Sequence, residues 1–303
     1  MRIGIMLSER PGTDSLDRLA EDLAEVHAEG FSSAWLSQIF GLDALTALAV
    51  IGGRVPGIEL GTAVVPSYPR HPAALAQQAR TVALAIGPGR LTLGVGLSHQ
   101  RVIEDVYGYD FAQPVRHMTE YVSVLAPLLA GDDVAFRGET LSAAVDLGIP
   151  NADPIPLLLA ALGPRMLRLA GQRAAGTSLW MTGPKTIREH IAPTITEAAQ
   201  DAGRPAPRII CALPICVTDD VEDARTRAEK AVGFYGGLPS YRAMLDREGV
   251  SGPVDLALIG SEDQVAARVR EIADAGATDF VAVPFTRGDS AKRTRALLTS
   301  LIG

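Results

Sequence analysis

Eight times along this chain a short apolar run gives way to a longer segment whose apolar residues recur at helical spacing. This alternation limits the fold more than any other feature. Parallel strands cannot be joined by tight turns and each needs a crossover, usually a helix. The runs fall at 2–7, 33–37, 58–65, 91–96, 156–160, 177–180, 209–217 and 280–283. They lack clean apolar/polar alternation, as expected of strands covered on both faces.

Between them, Leu16, Leu19, Leu23 and Val26 repeat at helical spacing behind the capping residues Thr13-Asp14-Ser15. Leu75, Ala79, Val82 and Ile86 mark a helix that Pro72 opens, where a fixed φ and a missing N–H cost nothing. Ser261 to Gln264 form a capping box ahead of Val265, Val269 and Ile272. Pro193 is expected to kink or divide its helix. The F-R-G-E-T-L stretch within 134–145 reads as an inserted hairpin, and 98–113 as an irregular insertion. One domain over 1–303 follows, a closed (β/α)8 TIM-type barrel of about 250 residues with insertions at its C-terminal face. A doubly wound sheet is the alternative. Gly94-x-Gly96 follows a strand but lacks a third glycine and a following helix, so it fails as a dinucleotide fingerprint.

Composition excludes several function classes. The 303 residues carry 28 Lys+Arg against 35 Asp+Glu, a formal net charge of -7, with no basic run for nucleic acid. No run approaches the roughly 20 apolar residues of a membrane span, and the first strand is too short for a signal peptide. A soluble, cytoplasmic protein is expected. Cys211 and Cys216 share one apolar run and read as core residues of a reducing compartment. Among the five histidines no pair has metal-ligand spacing, so no metal site is expected. His27, His117 and His190 read as surface or packing residues of helices.

In a barrel the chemistry gathers where strands meet the helices that follow them. Those positions are Ser8-Glu9, Ser37-Gln38, Ser67-Tyr68 with Arg70 and His71, Ser98-His99-Gln100, Gly163-Pro164-Arg165, Trp180-Met181-Thr182 and Phe285 to Arg287. They would give a mouth with amide and hydroxyl donors, two imidazoles, three guanidiniums and aromatic walls. Such a mouth suits a flat, polar-edged ligand with an anionic tail. Gly163-Pro164-Arg165-Met166 is the most specific local signal, since a glycine followed by a helix-opening proline leaves free N–H groups aimed at the mouth.

Several motifs together resemble the bacterial luciferase-like family of flavin and deazaflavin oxidoreductases. They are L-G-T-A-V-V-P-S-Y-P-R-H-P-A (60–73), G-R-L-T-L-G-V-G-L-S-H-Q (89–100), L-L-L-A-A-L-G-P-R-M-L-R-L-A-G (157–171) and L-W-M-T-G-P (179–184). W-L-S-Q-I-F-G (35–41) and P-S-Y-R-A-M-L-D-R-E-G (239–249) are most similar to the branch dependent on coenzyme F420, a deazaflavin. The resemblance implies a TIM-type barrel, usually a homodimer, with the cofactor ring at the C-terminal mouth and a small-molecule substrate beside it. Thr62, Ala63 and Val64 would form a bulge behind the ring, with a cis Ala63–Val64 peptide. Ala161, Leu162, Gly163, Pro164, Arg165 and Met166 would cradle the cofactor phosphate. Ser98, His99 and Gln100 would line the cleft, and Tyr68, His71 and Trp180 would face the substrate.

One departure matters. Many relatives have Asp-His-Phe after the second strand, and here the matching residues are Gln38, Ile39 and Phe40. Gln38 can hydrogen-bond a ring edge but cannot exchange protons at neutral pH. His99 is then the expected proton-transfer residue. Hydride transfer between F420 and a small organic substrate is the first reading. An FMN-dependent monooxygenase, a non-catalytic cofactor-binding protein and a sugar-phosphate isomerase using Glu9 as base are the alternatives.

Overall fold

The computed structural model describes residues 1–7, 16–149 and 153–302. Strands β1 (Arg2–Met6), β2 (Ser33–Leu36), β3 (Glu59–Thr62), β4 (Val65–Pro66) and β5 (Leu91–Gly96) come first. An antiparallel hairpin, β6 (Val134–Arg137) and β7 (Ser142–Val145), is inserted before β8 (Leu157–Leu159). Strands β9 (Gly176–Trp180), β10 (Arg208–Val217), β11 (Leu258–Gly260) and β12 (Asp279–Pro284) complete the set. Eight of them pair in parallel in the order β1-β2-β3-β5-β8-β9-β10-β12, and β12 returns to β1 with Arg2 opposite Asp279. The sheet is therefore a closed barrel, as the alternation predicted, and not an open doubly wound sheet.

The helices wrap this barrel: α1 (Leu16–Ala28), α2 (Ala44–Arg54), α3 (Pro72–Ile86), α4 (Pro114–Ala130) and α5 (Pro164–Arg173) in the first half. The second half carries α6 (Pro184–Thr186), α7 (Ala192–Asp201), α8 (Val221–Val232), α9 (Pro239–Glu248), α10 (Glu262–Asp274) and α11 (Asp289–Leu301). No helix among the described residues is long and apolar enough to cross a membrane. The capping box at α10 is formed, with Ser261 N–H donating to Gln264 Oε1 at 3.0 Å. Pro193 divides its helix as expected, because it cannot donate to the preceding turn, and a π-helical turn (Ile187–Ile191) joins α6 to α7. The caps expected at Thr13-Asp14-Ser15 lie outside the described residues, as do Ser8 and Glu9.

One expectation is corrected, and one strand was not anticipated. The insertion after β5 is not irregular throughout, since Val102–Val106 form a π-helical turn. The short run at 258–260 is a strand. At Ile215, β10 pairs with Pro284 of β12 on one edge, so Leu258 must take the other. There β11 replaces β9, whose pairing with β10 stops at Trp180 opposite Ala212. A run of three strand residues is too short for a periodicity to register.

The barrel interior is filled by Trp35, Leu158, Ile210, Ala212 and Val281, a cluster separate from the larger core between strands and helices. Trp35 is fully buried, and its indole Nε1 donates to Ser33 Oγ at 2.8 Å. Room for it comes from glycines on the flanking strands. A Cβ at Gly61 would overlap the Trp35 ring, and one at Gly4 would overlap Ser33 Oγ and sit 3.2 Å from Trp35 Nε1. Below this layer an ionic network closes the N-terminal end. Arg208 donates to Asp279 Oδ1 at 2.7 Å and Glu59 Oε1 at 2.8 Å, Thr92 donates to Glu59 at 2.6 Å, and Arg2 also pairs with Glu59. Burial alone would raise the Glu59 pKa, but the Arg208 charge and these hydrogen bonds hold it below the ordinary range.

Gly61→Ala should lower the urea midpoint of unfolding, at an overpacking cost of ~1–3 kcal/mol. A midpoint at or above that of the parent protein would show that the interior can absorb a methyl group beside Trp35.

Candidate active site

The site begins where β3 ends. Gly61 pairs with Thr92 and Val65 with Val95, so four steps along one strand match three along its neighbour. The extra residue makes a bulge at Thr62 to Val64. The Ala63–Val64 peptide in it is cis, as the resemblance implied. Thr62 is buried, and its hydroxyl both donates to the Gly94 carbonyl and accepts from the Gly94 N–H at 2.9 Å. That side chain ties the bulge to β5 and is not offered to the cleft. A Cβ at Gly94 would overlap the Thr62 carbonyl, and one at Gly96 would lie 2.7 Å from Val64 Cγ2. The Gly94-x-Gly96 pair therefore leaves room for the bulge, and this explains a motif that failed as a nucleotide fingerprint.

The phosphate candidate lies at the start of α5. Gly163 is its N-cap, no side chain caps it, and Gly163, Pro164 and Arg165 are exposed. Gly163 has φ -78 and a Cβ there would meet nothing within 4 Å, so neither backbone conformation nor internal packing requires glycine. Close approach by another molecule is what its missing side chain permits. Ala161 and Met166 are buried, so only their backbone can take part, while His190 Nε2 bonds the Leu162 carbonyl at 2.8 Å and braces the loop. His190 is thus a buried brace.

Gly183-Pro184 offers an internal comparison. It too starts a helix at the mouth, but Glu248 of α9 accepts from Thr186 N and Oγ1 at 2.7 Å and from Lys185 N at 3.1 Å. A Cβ at Gly183 would overlap that carboxylate. One helix start is filled by the protein's own anion and the other is open. The residues at Gly163 therefore fit an external phosphate.

His99 lies after β5 under an aromatic wall. Its ring meets those of Tyr235 and Tyr241 edge-on at 5.9 Å each, and Tyr235 also packs edge-on against Trp180 at 5.9 Å. Burial lowers the His99 pKa, which favours its neutral imidazole at pH 7, and raises those of Tyr235 and Tyr241, which are neutral at that pH in any case. The residues before His99 and after Trp180 hold left-handed backbone, Ser98 at φ 62 and Met181 at φ 50, which side chains adopt only when the surroundings hold them there. Gln100 is exposed and donates to Glu104 at 3.0 Å.

On the other side Tyr68 stacks on His117, with centroids 3.9 Å apart and planes at 10°, and Ser67 Oγ bonds His117 Nε2 at 3.0 Å. Burial, with the charges of Asp110 and Glu104, pushes the Tyr68 hydroxyl up to about 12. Gln38 Oε1 accepts from Ala44 N–H at 2.8 Å, leaving its NH2 group as the available donor.

Several expectations move. His71 does not join this group: its Nδ1 caps α3 through Ala73 N–H at 3.3 Å and its Nε2 bonds the Ser142 carbonyl of β7 at 3.2 Å. Both ring nitrogens are used in joining α3 to the hairpin. Arg70 pairs with Asp43 through Nη2, while its Nη1 is buried and has no hydrogen-bond partner. His117, expected to be a packing residue, supports Tyr68. Tyr235 and Tyr241 were not anticipated, and F-Y-G-G-L-P-S-Y (234–241) is the aromatic-rich signal that could have found them.

Gly163→Val should weaken binding of a phosphate-bearing cofactor by about tenfold or more while leaving thermal stability nearly unchanged. Equal affinity in the folded variant would remove this loop from the site. Because burial disfavours the imidazolium, the His99 ring resonances should titrate below the ordinary 6.5 in an NMR pH series. A midpoint above that value would contradict a buried, neutral His99.

The sequence matches the luciferase-like monooxygenase family over residues 1–279. A 5,10-methylenetetrahydromethanopterin reductase of Methanolobus tindarius is 25% identical over 301 residues, covering 89% of this chain and 91% of that protein. A putative coenzyme F420-dependent oxidoreductase of Mycobacterium tuberculosis is 28% identical over 193 residues, covering 58% of this chain and 54% of that protein. The solved coenzyme F420-dependent tetrahydromethanopterin reductase of Methanopyrus kandleri superposes with a TM-score of 0.79 at 21% identity, over 98% of this chain and 97% of that one, and so shares the fold. With its closed barrel and a family match covering all but the last strand and the last helix, this chain belongs to the luciferase-like monooxygenase family.

Proposed function

We propose that this protein is an oxidoreductase that moves a hydride between the deazaflavin coenzyme F420 and a small organic substrate at the C-terminal mouth. The observation that carries a phosphate-bearing cofactor is the open, uncapped start of α5 at Gly163, set against the Glu248-filled start at Gly183. A relative described as a putative coenzyme F420-dependent oxidoreductase supports a deazaflavin over FMN. When bound, such a cofactor supplies the hydride donor or acceptor that no side chain can provide.

The chain's own residues do the rest. The bulge at Ala63 and Val64 offers a fixed apolar surface for a flat ring, and Arg165 with the α5 amides holds the phosphate. Gln38 can donate its NH2 to a ring edge. His99, neutral at pH 7, can take a proton from a substrate hydroxyl or return one to it. Tyr235 and Tyr241 cover His99, with Trp180 packed against Tyr235, and limit access of water.

Titration of the purified protein with F420 and with FMN, followed by tryptophan quenching, tests the reading. F420 is expected to bind at about micromolar Kd or tighter, with FMN at least about tenfold weaker. The reverse preference would favour an FMN-dependent monooxygenase, in keeping with the family's name. Failure of both to bind would overturn the proposal.

A further inference from the structure

The two tyrosines over His99 come from one segment, the stretch between α8 and β11. In α9 the residues Tyr241, Met244, Leu245 and Glu248 fall at i, i+3, i+4 and i+7 and share the inward face, while Ala243, Asp246 and Arg247 are exposed. Met244 and Leu245 are buried in the main core. Tyr241 stands at one end of that face, with its ring centroid 5.9 Å from that of His99 and 4.8 Å from that of Tyr235. Glu248 stands at the other end, two turns or about 10 Å further along the helix axis.

Burial of Met244 and Leu245 holds α9 against the barrel, but apolar contact is non-directional and leaves the tilt and rotation of a helix loosely set. Hydrogen bonds fix them. Among the described residues, those that join α9 to the barrel all run to Lys185 and Thr186 at the start of α6. Glu248 accepts from both amides and from the Thr186 hydroxyl, and that hydroxyl also reaches the Met244 carbonyl at 3.3 Å. Gly183 leaves the room in which the carboxylate sits. The Arg242 side chain bonds only within its own segment, to Asp246 and to the carbonyls of Val250 and Ser251. Gly236-Gly237 before α9 and Gly249 after it add no side chains that would restrain its ends.

We propose that Glu248 is a positioning residue of the active site: its carboxylate, seated on the Lys185 and Thr186 amides, sets the placement of α9 and so holds Tyr241 and Tyr235 over His99. Without that carboxylate α9 keeps its apolar packing but loses its fixed orientation, and the two rings no longer stay over the imidazole. Water then reaches His99, and the burial that disfavours its imidazolium is lost. The inference rests on the reading of His99 as the proton-transfer residue, and it adds what keeps that residue screened.

Amide hydrogen exchange and an NMR titration of His99 test it on the parent protein, Glu248→Ala and Glu248→Gln. In the parent the Lys185 and Thr186 amides should be protected, and exchange at the rate of free loop amides would overturn the proposal outright. In Glu248→Ala both should exchange at least about tenfold faster, the loss of one charge-assisted hydrogen bond. The His99 midpoint, lowered by burial in the parent, should rise toward 6.5. Acrylamide should quench tryptophan emission more strongly, because Trp35 is fully buried and Trp180 packs on Tyr235. Glu248→Gln keeps one acceptor oxygen and should fall between the two, and it carries the test if Glu248→Ala does not fold. Arg247→Ala, on the outward face of the same helix, should match the parent. A folded Glu248 variant with the parent's His99 midpoint and quenching overturns the proposal. So does an equal change in Arg247→Ala, which would mean that any weakening of α9 exposes His99, or failure of both Glu248 variants to fold, which would make Glu248 a residue of the fold alone. Titration of the parent with F420 separates the two readings. If F420 does not bind while Glu248→Ala still moves the His99 midpoint, the cofactor reading fails and the positioning role stands. If F420 binds and His99 does not respond, the positioning role fails and the cofactor reading stands.

Discussion

The packing of Trp35 inside the barrel is the constraint on which the rest of the structure depends. Eight parallel strands enclose a space that side chains must fill, and here one indole fills much of the middle layer. That choice imposes small residues around it, at Gly4 and Gly61, because protein interiors have no spare volume for added methyl groups. Glu59, Thr92, Arg208 and Asp279 close the layer below with hydrogen-bonded charges. Such a network is safe only when every member is satisfied, and the two bonds of Arg208 to opposite carboxylates meet that need. With the middle layer filled and the N-terminal end closed by this network, the C-terminal end is the one left for a ligand.

At that end the same economy of small residues serves a different purpose. Gly94 and Gly96 leave room for the bulge at Thr62 to Val64, and Thr62 pins it to β5. Gly163 and Gly183 are both followed by proline at the start of a helix, and a sequence reader would give them the same role. The structure separates them, because Glu248 fills one amide cluster and nothing in the chain fills the other. An amide cluster that the protein already neutralises has little affinity left for an external anion.

Burial affects the charge of the mouth chiefly at His99, whose pKa it lowers and whose neutral imidazole it therefore favours at pH 7. Tyr68, Tyr235 and Tyr241 are neutral at that pH in any case, and burial shifts them further up. Gln38 and Ile39, standing where the resemblance implied an acid–base pair, add no charge. The mouth that results carries the exposed Arg165 after β8, next to the loop after β5.

What the sequence determined by itself is largely local. Alternating apolar runs and helical repeats specified the barrel, prolines marked the helix starts at 72, 164 and 184, and Ser261 with Gln264 set a cap. Each of these depends on residues a few positions apart, where backbone geometry is decided. The loop motifs 60–73 and 157–171 likewise pointed to the bulge and to the helix start left uncapped at Gly163. The tertiary structure alone decided which side chains meet across long separations. It brought His117 under Tyr68, 49 positions away in the chain, and Tyr235 and Tyr241 over His99. It also withdrew His71 to the hairpin, paired Arg70 with Asp43 and placed Glu248 on the second helix start. None of these contacts leaves a periodic trace, because each is fixed by how loops from different strands converge once the barrel has closed.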